Sequence, residues 1–153
     1  MTSNPTNDCY EMKKDLVRDW MTPNVITITP DTTLPEAHRL MVTNNIRRLP
    51  VIKDGQLVGI VTRGDVRGAE PSEASSLSIW EINYLLAKLK IKDIMTRNPV
   101  TVRPDATIGD AARIMLEKKI SGLPVVDEAG KVVGIITESD IFRMVVQQWQ
   151  ESE

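Results

Sequence analysis

The sequence predicts a mixed α/β (α+β) protein: two pseudo-symmetric β-α-β-β-α repeats packed as one compact module. Three observations carry this expectation. First, VITITPDTTL (25–34) is answered by PVTVRPDATI (99–108), and RRLPVIKDGQLVGIVTRGD (47–65) by SGLPVVDEAGKVVGIITESD (121–140). The offset is 74 positions, as from Met21 to Met95, until Asp54; it becomes 75 because Ala129 lengthens the second hairpin loop. Self-similarity at one offset marks two copies of a supersecondary unit that complete a core by packing on each other. Second, in each copy the apolar spacing changes from a helical face to strand-like runs. Third, 153 residues with 41% apolar and 26% charged content suit one compact domain or two halves sharing an interior.

The elements follow in order. Residues 1–16 form a polar tail in which Met12 and Leu16 begin to pack, and repeat 1 spans 17–67. Val25 to Ile28 reads as a short strand ended by Pro30-Asp31. Thr33-Leu34-Pro35-Glu36 is a capping box: Thr33 can cap the amides, Glu36 reaches back, and Pro35 is tolerated in the first turn. Leu34, Ala37, His38, Met41 and Val42 then share a helix face, answered by Ile108, Ala111, Ala112, Met115 and Leu116 behind Thr107. Two strands joined at Lys53-Asp54-Gly55-Gln56 come next. Leu57–Val61 and Val132–Ile136 are nearly all apolar, as buried strands are. Residues 68–90 form a loop, with EPSEASS (70–76) exposed, and a connecting helix from Ser78 that Ser78 caps over Glu81. Repeat 2 spans 91–145, and Asp140 opens an unbroken helix. Trp80, Tyr84 and Trp149 are expected in core or inter-helix packing, with a subunit interface as the second option.

Composition excludes several functions. A net charge of −2 gives no general attraction to nucleic acid or anionic membranes. No apolar run approaches the ~20 residues of a membrane span. The first residues lack the apolar core of a secretory signal, which places the chain in the cytoplasm. Cys9 cannot form an internal disulfide, and with His38 the single histidine no Cys/His zinc site assembles. His38 reads as a half-buried packing residue. Phosphate-cradling glycine loops and a G-x-S-x-G elbow are absent, and no nucleophile–base pair is visible. The sequence therefore predicts no catalysis, catalytic cofactor or metal.

What recurs with chemical content is a strand that delivers Thr-x-x-Asp to a helix start, Thr62/Asp65 and Thr137/Asp140. Capping alone explains an aspartate there. The carboxylate can also accept hydrogen bonds from two ribose hydroxyls, with Thr adding a third contact.

The tandem order of Met-Thr, T-x-x-P-D-x-T, capped helix, I-x-x-L-P-V, hairpin and G-I-[VI]-T-x-x-D closely resembles the cystathionine-β-synthase (CBS) domain family over Val17–Arg67 and Ile91–Arg143. Two such repeats look like a Bateman module. The resemblance implies a regulatory sensor, paired as a homodimer, with two clefts between the repeats for adenine nucleotides (AMP, ADP or ATP) or S-adenosylmethionine. Each cleft would mix residues of both repeats. One would use Thr137 and Asp140 with Ile26, Ile46, Arg47 and Arg48; the other Thr62 and Asp65 with Val100, Ile120, Ser121 and Gly122. Aliphatic residues would sandwich an adenine. Arg47 and Arg48 can offer bidentate contacts to phosphate, which Ser121 and Gly122 cannot, so the Asp140 cleft is expected to hold a polyphosphate. Glu138 in that cleft and Arg63 in the other weigh against the choice. The alternatives are an S-adenosylmethionine sensor and a dimerisation scaffold with empty clefts. In either case the output passes to an effector protein on another chain or through self-association.

Overall fold

The structure, a computed structural model, describes residues 15–69 and 78–152. The expectations for Cys9, Met12 and the 70–76 loop lie outside the described residues.

Local chemistry sets the helices. Helix α1 is the single turn Val17–Trp20, in which the Leu16 amide donates to Asp19 Oδ2 at 3.4 Å. It is followed by the two-residue strand β1, Thr22–Pro23. Helix α2, Leu34–Asn44, starts at Thr33, whose Oγ1 accepts from the Glu36 amide at 3.4 Å. Glu36 itself lies 4.0 Å from Arg39 on the exposed side. The hairpin of β2 (Arg48–Lys53) and β3 (Gln56–Thr62) turns at Asp54 and Gly55, both at positive φ. Helix α3, Arg63–Ala69, continues directly from β3. Ser78 caps α4, Ile79–Lys88, by accepting from the Glu81 amide at 3.2 Å. A 3-10 turn at Ile91–Asp93 then leads to β4, Thr96–Arg97.

The second copy repeats these devices. Helix α5, Ile108–Lys118, carries the full reciprocal box: Asp110 N donates to Thr107 Oγ1 at 3.1 Å and Thr107 N to Asp110 Oδ2 at 3.4 Å. Strands β5 (Gly122–Val126) and β6 (Val132–Thr137) form its hairpin, and α6 runs from Glu138 to Glu151.

The chain divides into two compact units that cut across the sequence copies. A continuous unit spans 26–99, and a discontinuous unit joins the residues up to Val25 with those from Val100 onward. The continuous unit holds the antiparallel sheet β2-β3-β4, and the discontinuous one holds β1-β6-β5. Each sheet is therefore edged by a Met-Thr segment lying ahead of the other copy's strands. Thr22 pairs with Ile135 and Pro23 with Gly134; Thr96 pairs with Ile60 and Arg97 with Gly59. The same backbone bonds recur at equivalent places. Val17 N donates to Ala106 O at 2.8 Å, and Ile91 N to Thr32 O at 2.9 Å.

A glycine makes this edge pairing feasible. A Cβ on Gly59 would stand 2.6 Å from Met95 Sδ and 3.0 Å from Thr96 O; on Gly134 it would stand 2.6 Å from Met21 Sδ and 2.9 Å from Thr22 O. The recurring Met-Thr and the Gly of G-I-[VI]-T are thus two sides of one contact.

Each unit has its own core. Leu34, Ala37, Met41, Leu49, Val51, Val61 and Ile91 fill the continuous unit; Ile108, Ala111, Met115, Leu123, Val125, Ile136 and Val17 fill the other. Several sequence expectations fail here. His38 and Val42 are exposed, as is Leu116, because only the seam at i, i+3 and i+7 reaches the sheet. Trp80, Tyr84 and Trp149 are exposed rather than packed inside. Lys88 Nζ sits 4.1 Å over the Tyr84 ring. In place of a strand over 25–28, Ile28 alone bridges Val51 in parallel, since Pro30 lacks an amide to extend the ladder. In β3 and β6 burial is complete only at Gly59 and Val61, and at Gly134 and Ile136; Gln56 is exposed and the other residues are half-buried.

Candidate functional site: two Thr-x-x-Asp turns

At the end of β3 the Thr62 amide donates to Asp65 Oδ2 at 2.9 Å, and the Asp65 amide donates to Thr62 Oγ1 at 3.1 Å. This reciprocal box pins the first turn of α3. Asp65 is half-buried, and its Oδ1 accepts no hydrogen bond among the described residues. The strand-entry segment lies alongside: Arg48 is in register with Thr62, and the Arg63 amide donates to Arg47 O at 2.8 Å. Arg47, Arg48, Thr62, Arg63, Gly64 and Arg67 line one pocket of about 320 Å³. Four arginines therefore share one pocket lining with Thr62, whose amide and hydroxyl bond Asp65. Cationic donors of this number suit an anion with several oxygens. Ile26 and Ile46 pack partly buried against the same unit's core.

At the end of β6 the backbone is the same and the chemistry differs. The Thr137 amide donates to Asp140 Oδ2 at 2.9 Å, and Thr137 Oγ1 donates to the same oxygen at 3.2 Å. Arg143 Nη2 donates to Asp140 Oδ1 at 2.9 Å and to Trp20 O at 3.2 Å. Asp140 is only 3% exposed, the one buried charged residue described. Both of its oxygens are engaged. Gly122 is in register with Thr137, and the Glu138 amide donates to Ser121 O at 3.0 Å. Ile120 is partly buried against the unit's core, and Val100 is exposed. The positions equivalent to Arg47, Arg48, Arg63 and Arg67 are Ser121, Gly122, Glu138 and Phe142, none of them cationic.

The structure thus brings Ile26, Ile46, Arg47, Arg48, Thr62 and Asp65 into one unit, and Val100, Ile120, Ser121, Gly122, Thr137 and Asp140 into the other. Each sequence-derived grouping drew on both units. Arg67 escaped the sequence reading, and Arg63 entered it only as a positive charge at the Asp65 cleft. Their signal was the i, i+4 spacing on α3, which puts both on one face. Arg143 was missed too, although its i, i+3 spacing from Asp140 is a helix-pair signature. Among the described residues no helix is long and apolar enough to cross a membrane. Nor is there, among them, a group of three or more His, Cys, Asp or Glu placed to hold a metal ion.

Two tandem α/β units, each edged by a borrowed Met-Thr strand and each ending in a Thr-x-x-Asp turn, define a duplicated ligand-module architecture. The chain belongs to the CBS domain family, whose model matches residues 17–72 and 91–147. The crystal structure of CBSX2, an Arabidopsis thaliana protein, in complex with AMP is 36% identical and superposes with a TM-score of 0.72, covering 87% of this chain and 97% of that one. The CBS domain pair of protein MJ0100, in complex with 5′-methylthioadenosine and S-adenosyl-L-methionine, is 34% identical, with a TM-score of 0.72 and coverage of 87% and 97%. An inosine-5′-monophosphate dehydrogenase of Korarchaeum cryptofilum is 43% identical over 119 residues, which is 78% of this chain and 22% of that enzyme. The chain spans under a quarter of that relative's length.

Proposed function

We propose that this protein is a non-catalytic regulatory module that binds an adenine nucleotide at the Thr62–Asp65 turn. The observation that carries the reading is the arginine pocket. Its volume falls at the small end of the roughly 300–1,000 Å³ of small-molecule sites. The phosphates occupy Arg47, Arg48, Arg63 and Arg67; the ribose hydroxyls take the open Asp65 Oδ1; Ile26 and Ile46 supply aliphatic surface for the adenine. The ribose partner of the two arginines is accordingly Asp65 rather than Asp140. Thr137 and Asp140, with Val100, Ile120, Ser121 and Gly122, form a second position without cationic help. The AMP complex of CBSX2 supports the ligand class. S-adenosylmethionine is disfavoured at the arginine pocket, because its sulfonium is repelled where a phosphate chain is attracted.

Thermal unfolding with AMP, ADP, ATP and S-adenosylmethionine tests this reading. A ligand at about 100 times its Kd stabilises by about 2.7 kcal/mol, visible as a melting shift. The shift should rise with phosphate number and fall with added salt. Asp65→Ala should remove most of it. If Asp65→Ala/Asp140→Ala responds to nucleotide like the unaltered chain, the ribose assignment is wrong.

A second reading, a dimerisation scaffold, rests on α6. Phe142, Val146 and Trp149 are exposed there, and Val145, Val146, Trp149 and Gln150 line a groove of about 360 Å³. Contiguous exposed apolar surface marks an interaction site. We assign it to a homodimer in the cytoplasm that relays the nucleotide state to an effector protein. Sedimentation of the chain and of Trp149→Glu checks the homodimer: the variant should run as a monomer.

A further inference from the structure

The two turns differ in who occupies the carboxylate. At Asp65, Oδ1 is open among the described residues, and the position equivalent to Arg143 is Gly68, which has no side chain to reach it. At Asp140, Arg143 fills that place with a 2.9 Å hydrogen bond, and the same Nη2 reaches Trp20 O at 3.2 Å. A ribose hydroxyl and a guanidinium N–H are both donors, so they compete for one acceptor oxygen. The guanidinium is tethered and charged, and a charge-assisted bond is the stronger.

We propose that Arg143 is a resident occupant of the second ribose position and so sets the chain's nucleotide stoichiometry at one. The inference rests on the reading of the Thr-x-x-Asp turns as ribose sites and specifies how one of them is closed. Because the arginine also holds the carbonyl at the end of α1, a ligand entering at Asp140 must release Trp20 O as it displaces Arg143. Ligand entry there is thereby coupled to the attachment of the N-terminal segment to α6. The neighbouring residues do not compensate: Ser121 and Gly122 carry no charge, and Glu138 repels phosphate.

Isothermal titration of the full chain with ATP and, separately, with adenosine tests the proposal. The unaltered protein should bind about one ATP per chain, at the arginine pocket. Arg143→Ala should bind a second ligand at a site that accepts adenosine as well as it accepts ATP, since no arginine faces phosphate there. Arg143→Met keeps the aliphatic stem on the helix and should behave alike, so the test survives if the alanine variant folds poorly. Asp140→Asn in the Arg143→Met background should remove the added site. Two equivalent sites in the unaltered chain, or one site in both arginine variants, overturns the proposal while leaving nucleotide binding at Asp65 intact. If the unaltered chain binds nothing, the function proposed above fails; a site gained in Arg143→Met would still support the role of Arg143, and no gain would overturn it too.

Discussion

The continuous and discontinuous units repeat the same capped helix, hairpin and borrowed edge strand, yet their two Thr-x-x-Asp turns do opposite things with the same carboxylate. Asp65 is half-buried, bonded to a Thr62 that lines the arginine pocket, with one oxygen open among the described residues; Asp140 is sealed between Thr137 and Arg143. The scaffold contacts that match are Met-Thr on Gly, the Thr caps and the Leu-Pro strands. Those that differ lie where the side chain faces a ligand or stands in for one. Duplication has kept the packing and released the chemistry.

Four changes sharpen that comparison. The largest effect should come from Leu49→Ala and Leu123→Ala, both fully buried at equivalent strand positions. Each should cost about 2–5 kcal/mol, and urea denaturation should give similar losses for the two. Unequal losses would show that the cores are not equivalent. Next come Gly59→Ala and Gly134→Ala, whose new methyls meet a backbone carbonyl that cannot swing aside. Overpacking of this kind costs about 1–3 kcal/mol. A loss at only one glycine would break the symmetry of the edge strands.

The third test separates the turns. Asp140→Ala removes the acceptor of Thr137 N, Thr137 Oγ1 and Arg143 together, and should cost about 1–2 kcal/mol. Asp65→Ala loses one cap bond and should cost about half as much, while losing the nucleotide response. Chemical denaturation without ligand reads the first difference, and melting with ATP reads the second. The smallest effect concerns the helix ends. Asn45 and Lys119 both adopt left-handed geometry after α2 and α5, at φ 51° and 56°. Asparagine tolerates that region better than lysine, so Lys119→Asn should stabilise by about 0.5 kcal/mol or less, with no equivalent gain available at Asn45.

Much of the fold is legible in the sequence because its signals are local. Thr33, Ser78 and Thr107 announce their helices through the bonds they make, and Asp54-Gly55 announces a turn only such residues enter readily. The repeat itself predicts two copies of one β-α-β-β-α unit. What is not legible is which Met-Thr joins which sheet. Met21-Thr22 and Met95-Thr96 fit Gly59 or Gly134 equally well by composition, so only the folded chain decides. Exposure along α2 was misread because His38 and Val42 sit at the edge of a helical stripe, where a turn of a few tens of degrees moves a side chain from contact to water. The site was half legible. Thr-x-x-Asp stands out by recurrence, whereas Arg67 and Arg143 differ between the copies and are invisible to any search for what repeats.

The pairing of Thr22 with Ile135 has a consequence for how the protein is made. A ribosome releases the N-terminal strand long before its hydrogen-bonding partner exists, whereas the 26–99 stretch can finish its own sheet as soon as it emerges. That stretch should fold first, and the first strand must wait, uncommitted, until the last hairpin arrives. Closure over so many residues is slow. During synthesis the waiting segment is where a chaperone or a wrong partner would find the chain.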